Sequence, residues 1–205
     1  MNARVISGRE VAEKILSNDL RSRVEKLKDK NIVPKLVVIL VGEVKASASY
    51  VAQKEKFAGK AGIESEVRRF EDSISEQEIL SEVNQINSDS SIHGVIVQLP
   101  LPKHISVTKV LNSIDPSKDV DGFTPSNVGK LFLGEDTLVS CTPKGIMSIL
   151  QSADIDLTGK NVTVIGRSNI VGKPVSILCQ QQNATVTMCH SCLLYTSDAA
   201  DECDS

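Results

Sequence analysis

Lys35-Leu36-Val37-Val38-Ile39-Leu40-Val41, closed by Gly42, is an almost unbroken apolar run rich in β-branched residues. A strand with one face in water alternates apolar with polar residues. A run without alternation fits a strand covered on both faces, as in a parallel sheet clothed by helices. The flanking segments agree. Upstream, Val11, Ile15, Leu16, Leu20, Val24 and Leu27 recur at helical spacing between Gly8 and Lys30, predicting an amphipathic helix. Downstream, Ser47–Ala61 reads as a helix, Ile63–Phe70 as a strand, Ser75–Asn87 as a helix with Ile79, Val83 and Ile86 on one face, and Gly94–Leu99 as a strand. Strands alternating with helices of this length specify an α/β fold with right-handed crossovers.

Between Pro100 and Cys141 the pattern breaks into prolines, glycines and short apolar pieces, which predicts loops and a domain link. A second β-α-β unit follows: a helix over Thr142–Gln151, a strand over Asn161–Ile165, a helix over Val171–Gln182 and a strand over Ala184–Met188. With 205 residues there is room for two domains. A net charge of −3 and no block of Lys or Arg argue against a nucleic-acid partner. No apolar stretch is long enough to span a bilayer and the first ten residues are polar, so no membrane partner and a cytoplasmic setting are expected. The five cysteines lack framework spacing and suit reduced thiols. Cys189-His190-Ser191-Cys192 is a C-x-x-C without a second ligand pair, and neither His93 nor His104 has an obvious metal partner, so no metal is expected.

Four short segments carry chemistry. The strand NVTVI runs into Gly166-Arg167-Ser168-Asn169-Ile170-Val171-Gly172, a turn that opens a helix. A helix N-terminus attracts phosphate through unpaired N–H groups and its dipole, and Arg167 adds a cationic fork. The spacing is not that of the usual dinucleotide fingerprint, and a plain tight turn reads equally well. Tyr50 and Lys54 share one helix face, where a solvated lysine beside a half-buried tyrosine is the simpler reading. Gln98 stands at the carboxyl end of a buried strand, the edge where open α/β sheets bind ligands, although a glutamine there also caps backbone groups. Asp119-Val120-Asp121-Gly122 sits among loops and reads as a turn.

Taken together and in order, SYVAQKEKF, GVIVQLPLP, DVDGFTPSNVGKL, CTPKG and GRSNIVGKP resemble the methylenetetrahydrofolate dehydrogenase/methenyltetrahydrofolate cyclohydrolase family, from the N-terminus to about Ser191. The resemblance implies a folate-binding catalytic domain over residues 1–140 and a Rossmann-type NADP-binding domain from 141. It assigns folate binding and catalysis to Tyr50, Lys54, Gln98 and Asp121, with Leu99 and Pro100 beside the substrate. It assigns NADP contacts to Gly166, Arg167, Ser168 and Ser191, the arginine and Ser191 meeting the 2′-phosphate, which argues against a preference for NAD. The implied partners are one-carbon derivatives of tetrahydrofolate, within one-carbon metabolism and purine biosynthesis, and the implied assembly is a homodimer. Hydride leaves the one-carbon bridge for the nicotinamide and water then attacks the methenyl cation, so Lys54 serves as a base only as a neutral amine, a form that burial against Tyr50 would favour.

Cys192–Glu202, CLLYTSDAADE, resembles the in-frame translation of a sequencing adapter. On that reading residues 192–205 are a non-native tail, the Rossmann-type domain is truncated at 191, and Ile165, Val175, Ile177 and Leu178 expose apolar surface that lacks partners. The alternative function is then an inactive fragment, or one that only binds folate.

Overall fold

The computed structural model describes residues 4–42 and 45–193, with the side chains of 45–49 left aside. Most of the adapter-like tail, from residue 194 onward, lies outside the described residues.

The first unit is a parallel three-stranded sheet in the order β2-β1-β3, formed by Glu64–Phe70, Lys35–Val41 and Gly94–Val97. The central place of β1 explains its composition. Val37, Ile39 and Val41 face α4 (Glu76–Ser88) and pack on Ile79, Val83 and Ile86. Val38 and Leu40 face the other way and join Val51 of α3 (Lys45–Ala61). Both faces are dry, so no polar side chain alternates in. The edge strand β2 instead carries charges: Lys35 pairs with Glu66 at 2.6 Å, and Arg68 pairs with Glu66 at 2.7 Å and with Glu82 of α4. Such a charged edge resists pairing with other chains.

The predicted helix over Gly8–Lys30 forms as α1 (Gly8–Ile15) and α2 (Arg21–Lys28), joined by a π-helical turn at Leu16–Leu20. The wider turn rotates the apolar stripe, so Val24 is buried while Ile15 is left exposed.

The stretch expected to be loops contains two helices. α5 (Val107–Asn112) is capped by Ser106, and α6 (Pro125–Leu133) is capped by Thr124, with proline at its first turn and Gly134 in the left-handed conformation at its end. Before α6 the chain is pinned to α4. The ammonium of Lys118 donates to the carbonyls of Ile86, Asn87 and Asp89 at 2.7, 2.9 and 2.7 Å, satisfying the end of that helix. Asp119 then makes a single parallel bridge with Val95 of β3.

The second unit has a two-stranded parallel sheet, β4 (Asn161–Ile165) and β5 (Thr185–Cys189), with α7 (Cys141–Ser152) and α8 (Gly172–Gln181) on one face. Val162, Val164 and Val186 close on Val175, Cys179 and Leu157. Thr163, Ile165, Thr185 and Thr187 point away from this core. The expectation that Val175, Ile177 and Leu178 lack partners is therefore corrected: α8 turns Val175 into the core and leaves Ile177 and Leu178 half-buried, whereas Ile165 is 89% exposed. Side chains donate across the two units to main-chain carbonyls, among them Arg4 to Ala153 at 3.1 Å, Ser140 to Ile170 at 2.6 Å and Gln181 to Leu131 at 2.6 Å. Both units are α/β, and their order along the chain is the one expected.

Candidate active site

Three elements distant in sequence bring Lys54, Gln98 and Asp121 together at the carboxyl edge of the first sheet. Lys54 projects half-buried from α3, and its ammonium donates to Gln98 Oε1 at 3.1 Å. Gln98 follows directly on β3, its backbone N–H still in the ladder to Ile39. Its side-chain Nε2 donates to the carbonyl of Leu99 at 2.9 Å, which fixes the amide and leaves Oε1 facing the lysine. The Leu99–Pro100 peptide is cis and turns the chain sharply out of the sheet. Tyr50 stands one turn before Lys54 but is 63% exposed. The expected burial of the lysine against this ring is thus corrected: the ring is open to solvent, and it is Gln98 that holds the amine.

The two aspartates of D-V-D-G have opposite environments. Asp119, 1% exposed, accepts from the Thr124 N–H at 2.7 Å and from Asn127 Nδ2 at 2.9 Å, so its carboxylate ties the turn to the start of α6. Asp121 faces the cleft. Burial pushes its carboxyl above the usual carboxylate range; the Lys54 charge pulls the other way, as does a contact from the Cys141 thiol, while the nearby Asp119 adds to the rise. Directly after Asp121, Gly122 has φ +64° and is jammed against a neighbouring stretch of chain: a Cβ there would stand 2.6 Å from the Leu138 carbonyl oxygen and 2.9 Å from the Ser140 nitrogen.

Cys141, the first residue of CTPKG, enters the cleft although the sequence reading gave it no role of its own. Its sulfur lies 3.7 Å from Asp121 Oδ1 and 3.8 Å from the Val120 carbonyl oxygen. Burial, followed by the charge of Asp121, pushes this thiol up, so it stays protonated and serves as a weak donor rather than a nucleophile. The only signal for it in the sequence was its place in a quoted motif.

A carboxyl with a raised folded-state pKa stabilises the fold below its unfolded value and loses that contribution as pH rises through the folded value. Charged Asp121 therefore costs stability at neutral pH. Asp121→Asn is expected to melt higher than the parent near pH 7, with the advantage shrinking toward about pH 4 as the parent carboxyl takes up its proton. Thermal melts across that range check this, and a variant that melts lower at neutral pH would overturn it.

At the carboxyl end of β4 the second cluster forms. The Ser168 hydroxyl accepts from the N–H groups of Val171 and Gly172 at 3.1 and 3.2 Å, which leaves its own O–H to donate outward. No atom lies within 4 Å of the point where a Cβ on Gly166 would stand, so the turn is open to a ligand. Arg167 is exposed and contacts the sulfur of Cys192 at 3.3 Å; Ser191, also exposed, is the residue before it. Gly172 fits only as glycine, because a Cβ there would meet the Gly166 carbonyl oxygen at 2.3 Å. An outward hydroxyl, a helix N-terminus and an exposed guanidinium make a donor set suited to a phosphorylated cofactor.

Residues 6–121 match the catalytic domain of tetrahydrofolate dehydrogenase/cyclohydrolase, and residues 140–205 match the NAD(P)-binding domain of the same enzymes. The bifunctional protein FolD of Enterococcus faecalis is 51% identical over 200 residues, which is 98% of this chain and 71% of that protein. The Staphylococcus aureus protein of that name is 53% identical over 191 residues, 93% of this chain and 66% of its own. The chain thus spans about two thirds of these relatives. The methylenetetrahydrofolate dehydrogenase-cyclohydrolase of Trypanosoma brucei, solved with NADP and an inhibitor, superposes with a TM-score of 0.90 at 35% identity, covering 98% of this chain and 69% of the other. Matches to both halves of one enzyme, in the same order on a single chain, leave one reading: this protein belongs to the tetrahydrofolate dehydrogenase/cyclohydrolase family.

Proposed function

We propose that this chain oxidises 5,10-methylenetetrahydrofolate to the methenyl compound with NADP and hydrolyses the product to 10-formyltetrahydrofolate. The observation that carries the reading is the hydrogen bond from Lys54 to Gln98 beside the half-buried carboxyl of Asp121, which feels the lysine's charge.

Each group has a task that its surroundings suit. Lys54, as a neutral amine, takes a proton from the attacking water, and Gln98 Oε1 holds one of its N–H groups so that the nitrogen keeps a set position. Asp121 binds the N–H edge of the pterin, and Tyr50, exposed at the mouth, offers a ring face on which it stacks. The backbone corner at Leu99 and Pro100 walls the substrate on the strand side. Gly166, Arg167, Ser168 and Ser191 hold the cofactor, with Arg167 directed at a 2′-phosphate, which selects NADP over NAD. Bound NADP supplies the hydride acceptor.

The same reading carries a homodimer, a cytoplasmic setting and a supply of one-carbon units for purine biosynthesis. Among the described residues no helix is long and apolar enough to cross a membrane.

Absorbance of NADPH, followed on mixing the purified protein with methylenetetrahydrofolate and NADP, tests the proposal. NADPH formation that fails with NAD is expected. Folate binding without turnover would leave the folate-binding fragment as the function instead.

A further inference from the structure

Ser140 stands at the N-cap of α7, where a serine ordinarily turns its hydroxyl onto an amide of the first helical turn. Here it makes no such bond. Pro143 is the third residue of the helix, so the N–H that a cap most often engages does not exist. The hydroxyl donates instead to the carbonyl of Ile170, thirty positions along the chain, at 2.6 Å, and the residue is 3% exposed. The N–H of the same peptide group, that of Val171, donates to Ser168 Oγ. One peptide of the 166–172 loop is therefore held at both ends, by Ser140 from the first unit and by Ser168 from within the loop.

On its other side Ser140 abuts the folate site. The backbone of 138–140 is the wall against which Gly122 is pressed, and the next residue, Cys141, sets its thiol 3.7 Å from Asp121 Oδ1. A shift of the loop that moves Ile170 pulls on Ser140, and a shift of Ser140 presses on the turn that bears Asp121. The link is short because no side chain longer than serine intervenes.

We propose that Ser140 is a positioning residue that couples the cofactor loop to Asp121, and so sets the separation between a bound nicotinamide and a bound pterin. This rests on the folate and NADP reading above. Hydride transfer depends steeply on that separation, whereas hydrolysis of the methenyl group needs no nicotinamide. A merely structural serine would weaken both reactions alike.

The test compares the parent with Ser140→Ala, which removes the donor, and Ser140→Thr, which keeps it. For the alanine variant the expected result is a dehydrogenase kcat lower by roughly tenfold, with cyclohydrolase rate and NADP affinity within about twofold, and with most of the loss recovered by threonine. An equal fall in both activities, or no fall in either, overturns the coupling. Should the parent itself show neither activity, the functional reading fails and amide hydrogen exchange decides the coupling alone: in Ser140→Ala, faster exchange over both 168–172 and 120–122 supports it, and faster exchange confined to 168–172 overturns it.

Discussion

Replacing Lys54 with glutamine lowers the cyclohydrolase rate by roughly 10²- to 10⁴-fold, the span usually lost with a general base, while folate affinity stays within about threefold. Glutamine nearly matches the length of the side chain and can still bond to Gln98, so the shape of the cleft survives; what disappears is a nitrogen able to accept a proton. Lys54→Arg separates this from a simple need for charge. Arginine restores the cation, but the guanidinium does not deprotonate in a protein, so the arginine variant is expected to be as slow as the glutamine one. The check is methenyltetrahydrofolate hydrolysis beside equilibrium folate binding. Hydrolysis at the parent rate in the glutamine variant, or recovery by arginine, removes Lys54 from the role of base.

Gly172→Ala is expected to destabilise the second unit by about 2–4 kcal/mol and to weaken NADP binding by more than tenfold. The added methyl would stand 2.3 Å from the Gly166 carbonyl oxygen, 2.7 Å from its carbon and 3.0 Å from the Arg167 Cα, and all three are backbone atoms that no rotamer change can move aside. The loop cannot swing away cheaply either, because Ser140 and Ser168 hold the peptide between Ile170 and Val171. Folate binding should persist, since the first sheet has its own core. Calorimetric titration with NADP and with a folate, alongside thermal unfolding, reads all three quantities. An alanine variant with parental NADP affinity and melting would mean that the loop is softer than its bonds imply.

What the sequence disclosed depended on how much of each signal was local. β1 was legible because dryness on both faces leaves its mark on six consecutive apolar positions, Leu36 to Val41. α6 was passed over although its marks were present: Thr124 as cap, Pro125 in the first turn and Gly134 as stop form a complete set, hidden among prolines and glycines that read as loop. α5, six residues long, is too short to show a helical period. The second unit misled in the opposite sense, because exposure of Val175 was inferred from absent strands, whereas α8 supplies its burial from within.

At the site, residue types were readable and environments were not. Nothing in D-V-D-G says which aspartate ends up inside; that is decided by Thr124 and Asn127, which claim Asp119. Tyr50 looked like a shield for Lys54, yet helix spacing places two side chains on one face without saying whether anything lies above them. Ser140 offered no signal at all, since its partner lies in another unit.

Among the bonds that cross between the units, those given by Arg4, Ser140 and Gln181 share one property: each comes from a side chain and is received by main chain. Leu131, Ala153 and Ile170 can therefore drift to any residue that keeps the local backbone, and the bonds survive; Arg4, Ser140 and Gln181 cannot. Two of these donors belong to the first unit. A chimera that joins this first unit to the cofactor unit of a distant relative should then keep two of these three ties without redesign, and would need a donor in the place of Gln181 to recover the third.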